Sequence, residues 1–165
     1  MKNRSEIRNR VLVLIMGILM VCCTACGGEE AGSKAPEGSL QDIMTALYAN
    51  ADLDADFREG LDYFEMLELT DDLESYILGT DEITYTEGVV SMPAMSSVAY
   101  QCVLLRVDEA DVETAKETLK NSADPNKWVC VSAETTLIES RGDVIFFIMS
   151  SKDVAYAMNS AFQNL

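Results

Sequence analysis

The chain of 165 residues contains no histidine. Histidine is the side chain whose ordinary pKa lies closest to neutral pH, and it serves as the base in Ser-His-Asp and Cys-His catalytic sites and as a common ligand of zinc. Its absence excludes these arrangements. Catalysis by paired carboxylates, by a lysine or by a tyrosine stays possible, because these groups also transfer protons.

Basic residues are scarce, with 12 lysines and arginines against 28 aspartates and glutamates. Four of the bases and one acid lie in residues 1–25, so the remainder has 8 bases, 27 acids and a formal charge of 8 − 27 = −19. Such a charge repels nucleic-acid phosphates and gains nothing from anionic lipid headgroups. We therefore expect no nucleic-acid partner, and we interpret most of the acids as a solvated surface.

No apolar run is long enough to cross a bilayer comfortably. The longest, residues 11–25, has fifteen residues even when Thr24 and two cysteines are included, whereas a transmembrane helix needs about 18 or more. Four basic residues precede this run: Lys2, Arg4, Arg8 and Arg10. A charged start followed by a short apolar run is typical of an export signal.

The apolar run ends in Cys23-Thr24-Ala25-Cys26, followed by two glycines and two glutamates. This segment resembles the lipobox of bacterial lipoproteins, in which small residues precede a cysteine that receives a diacylglyceryl group before the signal is cut off. Thr24 and Ala25 fit the small positions, whereas Cys23 stands where that family usually has leucine. The resemblance implies a signal peptide at residues 1–25 and a lipid on Cys26 that anchors the protein in the bilayer.

Cys26 is the best candidate for the lipid, because neither Cys22 nor Cys23 follows a glycine, alanine or serine. The spacing from Cys23 to Cys26 also matches a redox motif, but it spans the predicted cut and is therefore a chance match. The alternative to a lipid anchor is an ordinary secretory signal, which would leave a free protein. We expect the anchored form, in the cell membrane, with the domain facing the extracytoplasmic side.

Residues 26–38 predict a flexible tether, because they combine glycine, glutamate and proline without an apolar period. Residues 39–165 then form a segment long enough for a single domain with its own core. Two cysteines remain in it, Cys102 and Cys130, each in an apolar run that predicts a strand. A disulfide is chemically allowed outside the membrane, but it needs Cα atoms within about 7 Å of each other, and we predict two free thiols.

Helical and strand patterns alternate along the domain. A helix is predicted to begin at Ser39, where Asp42 stands three residues after this cap. Further helices are predicted to cover residues 108–122 and to begin at Ser150 or Ser151, with a short irregular helix in residues 57–69. Strands are predicted at residues 76–78, 83–85, 97–107, 128–131, 136–138 and 144–149, the last two joined by a glycine-containing hairpin.

Because a helix separates the strand at 97–107 from that at 128–131, we expect a right-handed crossover between two parallel strands. These elements predict an α+β fold, a single compact sandwich with a mixed, mostly antiparallel sheet covered by helices.

Three segments of the domain resemble a known family: FEMLELTDDLESYILG, MPAMSSVAYQCVLLRV and DPNKWVCVSAE, with GDVIFFIMS after them. They are similar to the bacterial lipoprotein family called domain of unknown function 4358. The resemblance covers residues 39–165 and includes the lipidated leader. It implies the location and the fold given above but no catalytic residue, since the activity of that family is itself unassigned.

The sequence contains neither a nucleophile motif nor a glycine-rich phosphate loop. We therefore expect a non-catalytic binding or accessory module, with no cofactor and with a neutral or basic protein as its partner. Its candidate contact is the loop at residues 91–96, where Met92, Pro93 and Met95 lie among serines, because methionine adapts to varied partners. The competing interpretation is that both methionines fill the edge of the core.

The main alternative is an extracytoplasmic hydrolase that uses paired carboxylates on a cell-wall substrate. Calcium binding by Asp52, Asp54 and Asp56 is a weaker hypothesis. An EF-hand loop needs glycine and glutamate where this chain has Phe57 and Tyr63. We accordingly predict no metal site.

Overall fold

The computed structural model describes residues 34–95 and 97–165. The predicted signal peptide and Cys26 lie outside these residues, as does Ser96. The helices are α1 (Leu40–Asn50), α2 (Ala55–Gly60), α3 (Asp71–Leu78), α4 (Val112–Ser122) and α5 (Lys152–Asn164), with 3-10 turns at Leu61–Tyr63 and Glu109–Asp111. The strands are β1 (Phe64–Glu68), β2 (Glu87–Pro93), β3 (Gln101–Arg106), β4 (Thr135–Arg141) and β5 (Val144–Ser150).

The five strands form one sheet in the order β1-β2-β3-β5-β4, and all four pairings are antiparallel. The predicted α+β fold is confirmed, whereas the predicted parallel pair is wrong. Strand β3 lies between β2 and β5, and residues 128–131 form a loop instead of a strand. Trp128 anchors this loop in the core, and Cys130 has a positive φ of 69°, which interrupts any extended run.

Helices cover the sheet on both faces and produce two apolar clusters. On one face, α1 and α5 pack Leu47 and Phe162 against Leu104 and Phe146 of β3 and β5. On the other face, α3 and α4 pack against the alternate residues of the same strands. Because β3 and β5 are buried on both sides, their sequences are almost continuously apolar. None of the helices in the described residues is long and apolar enough to cross a membrane.

The start of α1 is fixed by local and long-range polar contacts. Ser39 and Asp42 form the predicted capping box. The carboxylate of Glu87 accepts the backbone N–H of Leu40 over 2.9 Å, and it also pairs with the guanidinium of Arg106. These contacts connect α1 directly to β2 and β3.

Residues before Ser39 also contact the domain. Pro36 is buried, Ala35 packs against the cluster under α1 and α5, and the Gly38 carbonyl accepts a hydrogen bond from Arg106 over 3.0 Å. The packed part of the chain thus reaches back into the predicted tether. Residues 26–33 of that tether lie outside the described residues.

Two predicted strands have other structures. Residues 76–78 end α3, where Gly79 closes the helix with φ 76°, and residues 83–85 form a loop. A short apolar run fits a helix or a strand equally well, so the spacing alone misled. Conversely, residues 57–69, predicted as a short irregular helix, contain the end of α2, a 3-10 turn and then the strand β1.

Candidate functional site

A groove of about 450 Å³ lies beside the start of β1. One wall is the segment from Gly60 to Glu65, and the other is formed by residues of the segment that leaves β2, from Pro93 to Val98. Most of the lining surface is apolar, and the main apolar residues are Tyr63, Phe64, Pro93, Ala94, Met95 and Val98. The polar lining includes the carboxylates of Asp62 and Glu65.

Backbone pairing fixes the distance between the two walls. Phe64 lies opposite Pro93 in the β1–β2 register, and the N–H of Ala94 donates to the Tyr63 carbonyl over 3.0 Å. The N–H of Phe64 donates back to Leu61 and closes the 3-10 turn that precedes β1. The walls are therefore held in place without a ligand.

Three large side chains of the groove are exposed: Tyr63 at 71%, Met95 at 70% and Val98 at 48%. Met66, the third residue of β1, is a fourth at 39%. Together they make up four of the eight exposed large hydrophobic residues in the described chain. Apolar side chains gathered at one place on a surface, with acids around them, are typical of an interaction site.

Aromatic side chains form the floor beneath the groove. The rings of Phe57, Phe64 and Tyr100 contact one another, with centroids 5.0 to 5.5 Å apart. Tyr100 is buried, whereas Phe64 is partly buried, packs against the core cluster and also lines the groove. Tilted aromatic contacts of this kind stabilise a fixed arrangement of the rings.

A buried hydroxyl network supports this floor from below. The Tyr48 hydroxyl donates to Oγ of Ser91 over 2.8 Å and lies 2.7 Å from the Tyr100 hydroxyl. Burial raises the pKa of Tyr48 and of Tyr100, so both stay protonated and neutral. The network satisfies polar atoms in the core and has no charge to use in catalysis.

The three predicted contact residues have different environments. Met95 is exposed and lines the groove, and Pro93 is half-buried beside it. Met92 belongs to β2 and packs against the cluster under α3 and α4, where it fills the edge of the core. Sequence reasoning missed Tyr63, because its proximity to Met95 depends on the pairing of β1 with β2. It also missed Val98, which was assigned to the predicted strand at residues 97–107.

A lysine with an unusual environment lies elsewhere, after α4. The Lys127 ammonium donates to the Tyr76 carbonyl over 2.7 Å and to the side-chain oxygen of Gln101, and it lies 4.4 Å from the centroid of the Tyr76 ring. Burial lowers the pKa of Lys127 to about 8, although Asp124 opposes this change. These contacts attach the loop after α4 to α3 and β3.

The carboxylate best suited to proton transfer is Glu74, which is only 9% exposed. Burial raises its pKa, and the charges of Asp71 and Asp81 raise it further. The three acids do not meet the requirements of a metal site, and no group of three or more Cys, Asp or Glu in residues 34–95 and 97–165 could hold a metal ion. Asp54 caps α2 instead, accepting the N–H of Phe57 over 2.7 Å.

Both cysteines of the described chain are free thiols, as predicted. Cys102 is buried in β3, where burial raises the pKa of its thiol. Cys130 is exposed in the loop after α4, not in a strand. The two residues therefore differ in environment far more than their apolar sequence neighbours suggested.

No protein-family model matches this chain, and no curated protein or solved structure matches it. The resemblance to the lipoprotein family named above stays a prediction.

Proposed function

We propose that this protein is a membrane-anchored extracytoplasmic lipoprotein whose domain binds another protein through the groove beside β1 and catalyses no reaction. The observation that carries the proposal is the cluster of Tyr63, Met95 and Val98, which stays exposed over a rigid aromatic floor. An exposed apolar surface with ordered walls gains free energy when a partner covers it.

The composition of the groove supports a protein partner. Tyrosine and methionine are both enriched in protein interfaces, tyrosine because it offers a large contact area with few rotatable bonds. Met95 adds a flexible side chain that can adjust to the partner. Phe64 supplies a fixed surface at the base of the groove.

The charge of the groove favours a neutral or basic partner. Asp62 and Glu65 line it, and none of its described lining residues is a lysine or an arginine. Like charges across an interface are unfavourable, whereas a basic partner is attracted to the acidic rim. The net charge of the whole protein acts in the same direction and disfavours nucleic acids.

The lipid on Cys26 would keep the groove at the membrane surface. Two acyl chains hold a protein far more firmly than one, because each buried CH₂ contributes about 0.8 kcal/mol. A partner embedded in or attached to the same membrane would then be reached by diffusion within the plane of the membrane. We therefore expect the partner in the membrane fraction.

A second candidate is a hydrolase in which Glu74 acts as the acid, supported by the upward shift of its pKa. Its neighbours Asp71 and Asp81 could supply the second carboxylate of such a pair. Glu74 belongs to α3, which packs on the opposite face of the sheet from the aromatic floor. The two candidates therefore involve separate residues and can be tested separately.

The test captures partners from solubilised membranes with three versions of the full-length lipidated protein: the wild type, the double variant Met95→Ser/Val98→Ser, and Tyr156→Ser. Tyr156 is 52% exposed on α5, so its variant removes an exposed apolar side chain of similar exposure elsewhere. We expect the wild type and Tyr156→Ser to capture one and the same protein. The amount captured should be at least tenfold lower with the double variant.

Equal capture by all three versions would contradict the proposal. So would hydrolysis of a cell-wall fragment that is abolished by Glu74→Gln without loss of folding, which would favour the hydrolase.

A further inference from the structure

Strand β1 forms an edge of the sheet, since β2 is its neighbour on one side and no described strand lies on the other. The register of β1 and β2 shows which backbone groups face outward. Leu69 donates to the Gly88 carbonyl and Ala94 donates to the Tyr63 carbonyl, which are the pairs directly beyond the two ends of the ladder. Because hydrogen-bonded and non-hydrogen-bonded pairs alternate, Glu65 and Leu67 bond to β2.

The same alternation leaves the even-numbered residues of β1 facing away from the sheet. The outward groups are the carbonyl of Phe64 and both the N–H and the carbonyl of Met66 and Glu68. Their spacing is that of an unpaired strand ready to accept a neighbour.

The two edges of the sheet differ in exposure. Every residue of β4 is at least half-buried, whereas Glu65, Met66 and Glu68 of β1 are exposed. Charged residues on an edge strand often prevent unwanted pairing. Here, however, the edge also carries an exposed methionine, and its first two residues line the apolar groove.

Charge indicates what could pair with this edge. Side chains alternate between the two faces of a strand, so Glu65 and Glu68 present a carboxylate on each face, and Asp62 adds a third just before the strand. A second copy of this chain would bring the same three carboxylates to the other side of the interface, and two edges of like charge repel each other. A strand with lysine or arginine on it would instead form cross-strand ion pairs.

We propose that the partner contributes an extended basic segment that adds to the sheet as a sixth strand along β1, with apolar side chains directed to Met66 and into the groove. This inference rests on the proposed function and names how the groove is used. In strand addition the main-chain hydrogen bonds supply affinity, and side-chain pockets supply selectivity. The outward groups of Met66 and Glu68 would supply the hydrogen bonds, and the groove would supply the pocket.

The test uses the full-length protein purified in detergent and a synthetic heptapeptide that alternates lysine and valine, with both ends blocked. Two control peptides are used: one with glutamate in place of lysine, and one methylated on two consecutive central backbone nitrogens. The double methylation removes donors from both edges of the peptide and leaves its charge unchanged. We expect the lysine peptide to bind at least tenfold more tightly than either control.

Amide hydrogen exchange locates the binding. In the free protein, the amides of Met66 and Glu68 should exchange faster than those of Glu65 and Leu67, and the peptide should slow Met66 and Glu68 at least tenfold. The matched variants are Met66→Pro, which removes one outward N–H without touching the β2 pairs, and Met66→Val, which keeps it. Met66→Pro should weaken peptide binding at least tenfold, and Met66→Val less than threefold.

Several outcomes would overturn the inference. Equal binding of the methylated peptide would show that main-chain hydrogen bonds are not used. This comparison uses the wild-type protein, so it does not depend on whether any variant folds. Concentration-dependent dimers that protect Met66 and Glu68 without peptide would assign the edge to a second copy. If the captured membrane partner is lost with Met95→Ser/Val98→Ser but retained by Met66→Pro, strand addition fails while the groove function stands.

Discussion

The N–H of Ala94 donates to the carbonyl of Tyr63 over 3.0 Å, one pair beyond the point where Phe64 meets Pro93. This bond joins the two walls of the groove, so that Tyr63 and Met95 are held on opposite sides of it. A groove whose walls are fixed by backbone pairing does not have to form when the partner arrives. Binding then loses less conformational entropy than it would with a mobile loop.

Tyr48→Phe should destabilise the domain. The variant removes the hydroxyl that donates to Ser91 and contacts Tyr100, and it leaves two buried polar groups with one partner fewer. We expect the free energy of unfolding to fall by about 1–3 kcal/mol, measured by urea denaturation. Tyr156→Phe, at an exposed position, is the control and should change it little. An unchanged midpoint for Tyr48→Phe would show that the network contributes no stability.

Gly79→Ala should be among the more damaging single substitutions. Gly79 has φ 76°, and an added Cβ would lie 2.3 Å from the carbonyl oxygen of Ser122. We expect the free energy of unfolding to fall by at least about 1 kcal/mol because of the backbone conformation, and further because of the clash. Gly60→Ala is the matched control, because its Cβ would have no neighbour within 4 Å. That variant should leave the midpoint temperature of thermal unfolding unchanged or raise it. An equal fall in this temperature for both variants would contradict the prediction.

Glu74→Gln should stabilise the protein at neutral pH. The pKa of Glu74 is raised from 4.5 in the folded protein by burial and by Asp71 and Asp81, so the folded state binds more protons than the unfolded state above pH 4.5. The free energy of unfolding therefore falls as the pH rises from 4.5 through the raised pKa. Glutamine removes this penalty, and its advantage at pH 7 should vanish at pH 4.

Asp72→Asn provides a comparison on the same turn of α3. Asp72 is exposed, and it lies at the positive end of the helix, where a carboxylate is favourable. Its loss should lower stability at pH 7 by about 0.3–1 kcal/mol, opposite in sign to the effect of Glu74→Gln. If both variants changed stability in the same direction, the burial of Glu74 would not be the cause of the effect of Glu74→Gln.

Lys127 should titrate well below ordinary lysines. Burial lowers its pKa from 10.5 to about 8, so the penalty for the buried ammonium is fully present below pH 8 and disappears as the pH rises toward 10.5. The contribution of Lys127 to stability therefore improves across this window. The carbon-13 shift of its Cε, followed against pH, gives the midpoint, and a midpoint near 10.5 would show that the carbonyl and ring contacts compensate for burial.

Cys26→Ser should prevent lipidation. We expect the variant to keep its signal peptide or to leave the membrane fraction, because serine lacks the thiol to which we propose the lipid is attached. Cell fractionation and the mass of the mature protein measure both effects. Normal processing with full membrane retention would contradict the assignment, and Cys23→Ser serves as the comparison.

Local structure could be predicted from the sequence wherever residues close together in the chain determine it. The Ser39–Asp42 capping box, the last helix, predicted to begin at Ser150 or Ser151, and the hairpin at Gly142 were predicted from adjacent residues and are present. The α+β fold followed from the same patterns. The free thiols of Cys102 and Cys130 were also predicted, although the exposed position of Cys130 was not.

Only the tertiary structure decided the outcome where a segment suits two secondary structures or two pairing partners equally well. Residues 76–78 suit a helix or a strand, and they belong to α3, where Ile77 and Leu78 pack against the sheet. The antiparallel sheet depends on β3 pairing with β5 across a long stretch of chain, and no local pattern encodes that choice. The groove arises in the same way: Tyr63 is an ordinary surface residue in the sequence, and it becomes a neighbour of Met95 and Val98 because β1 pairs with β2.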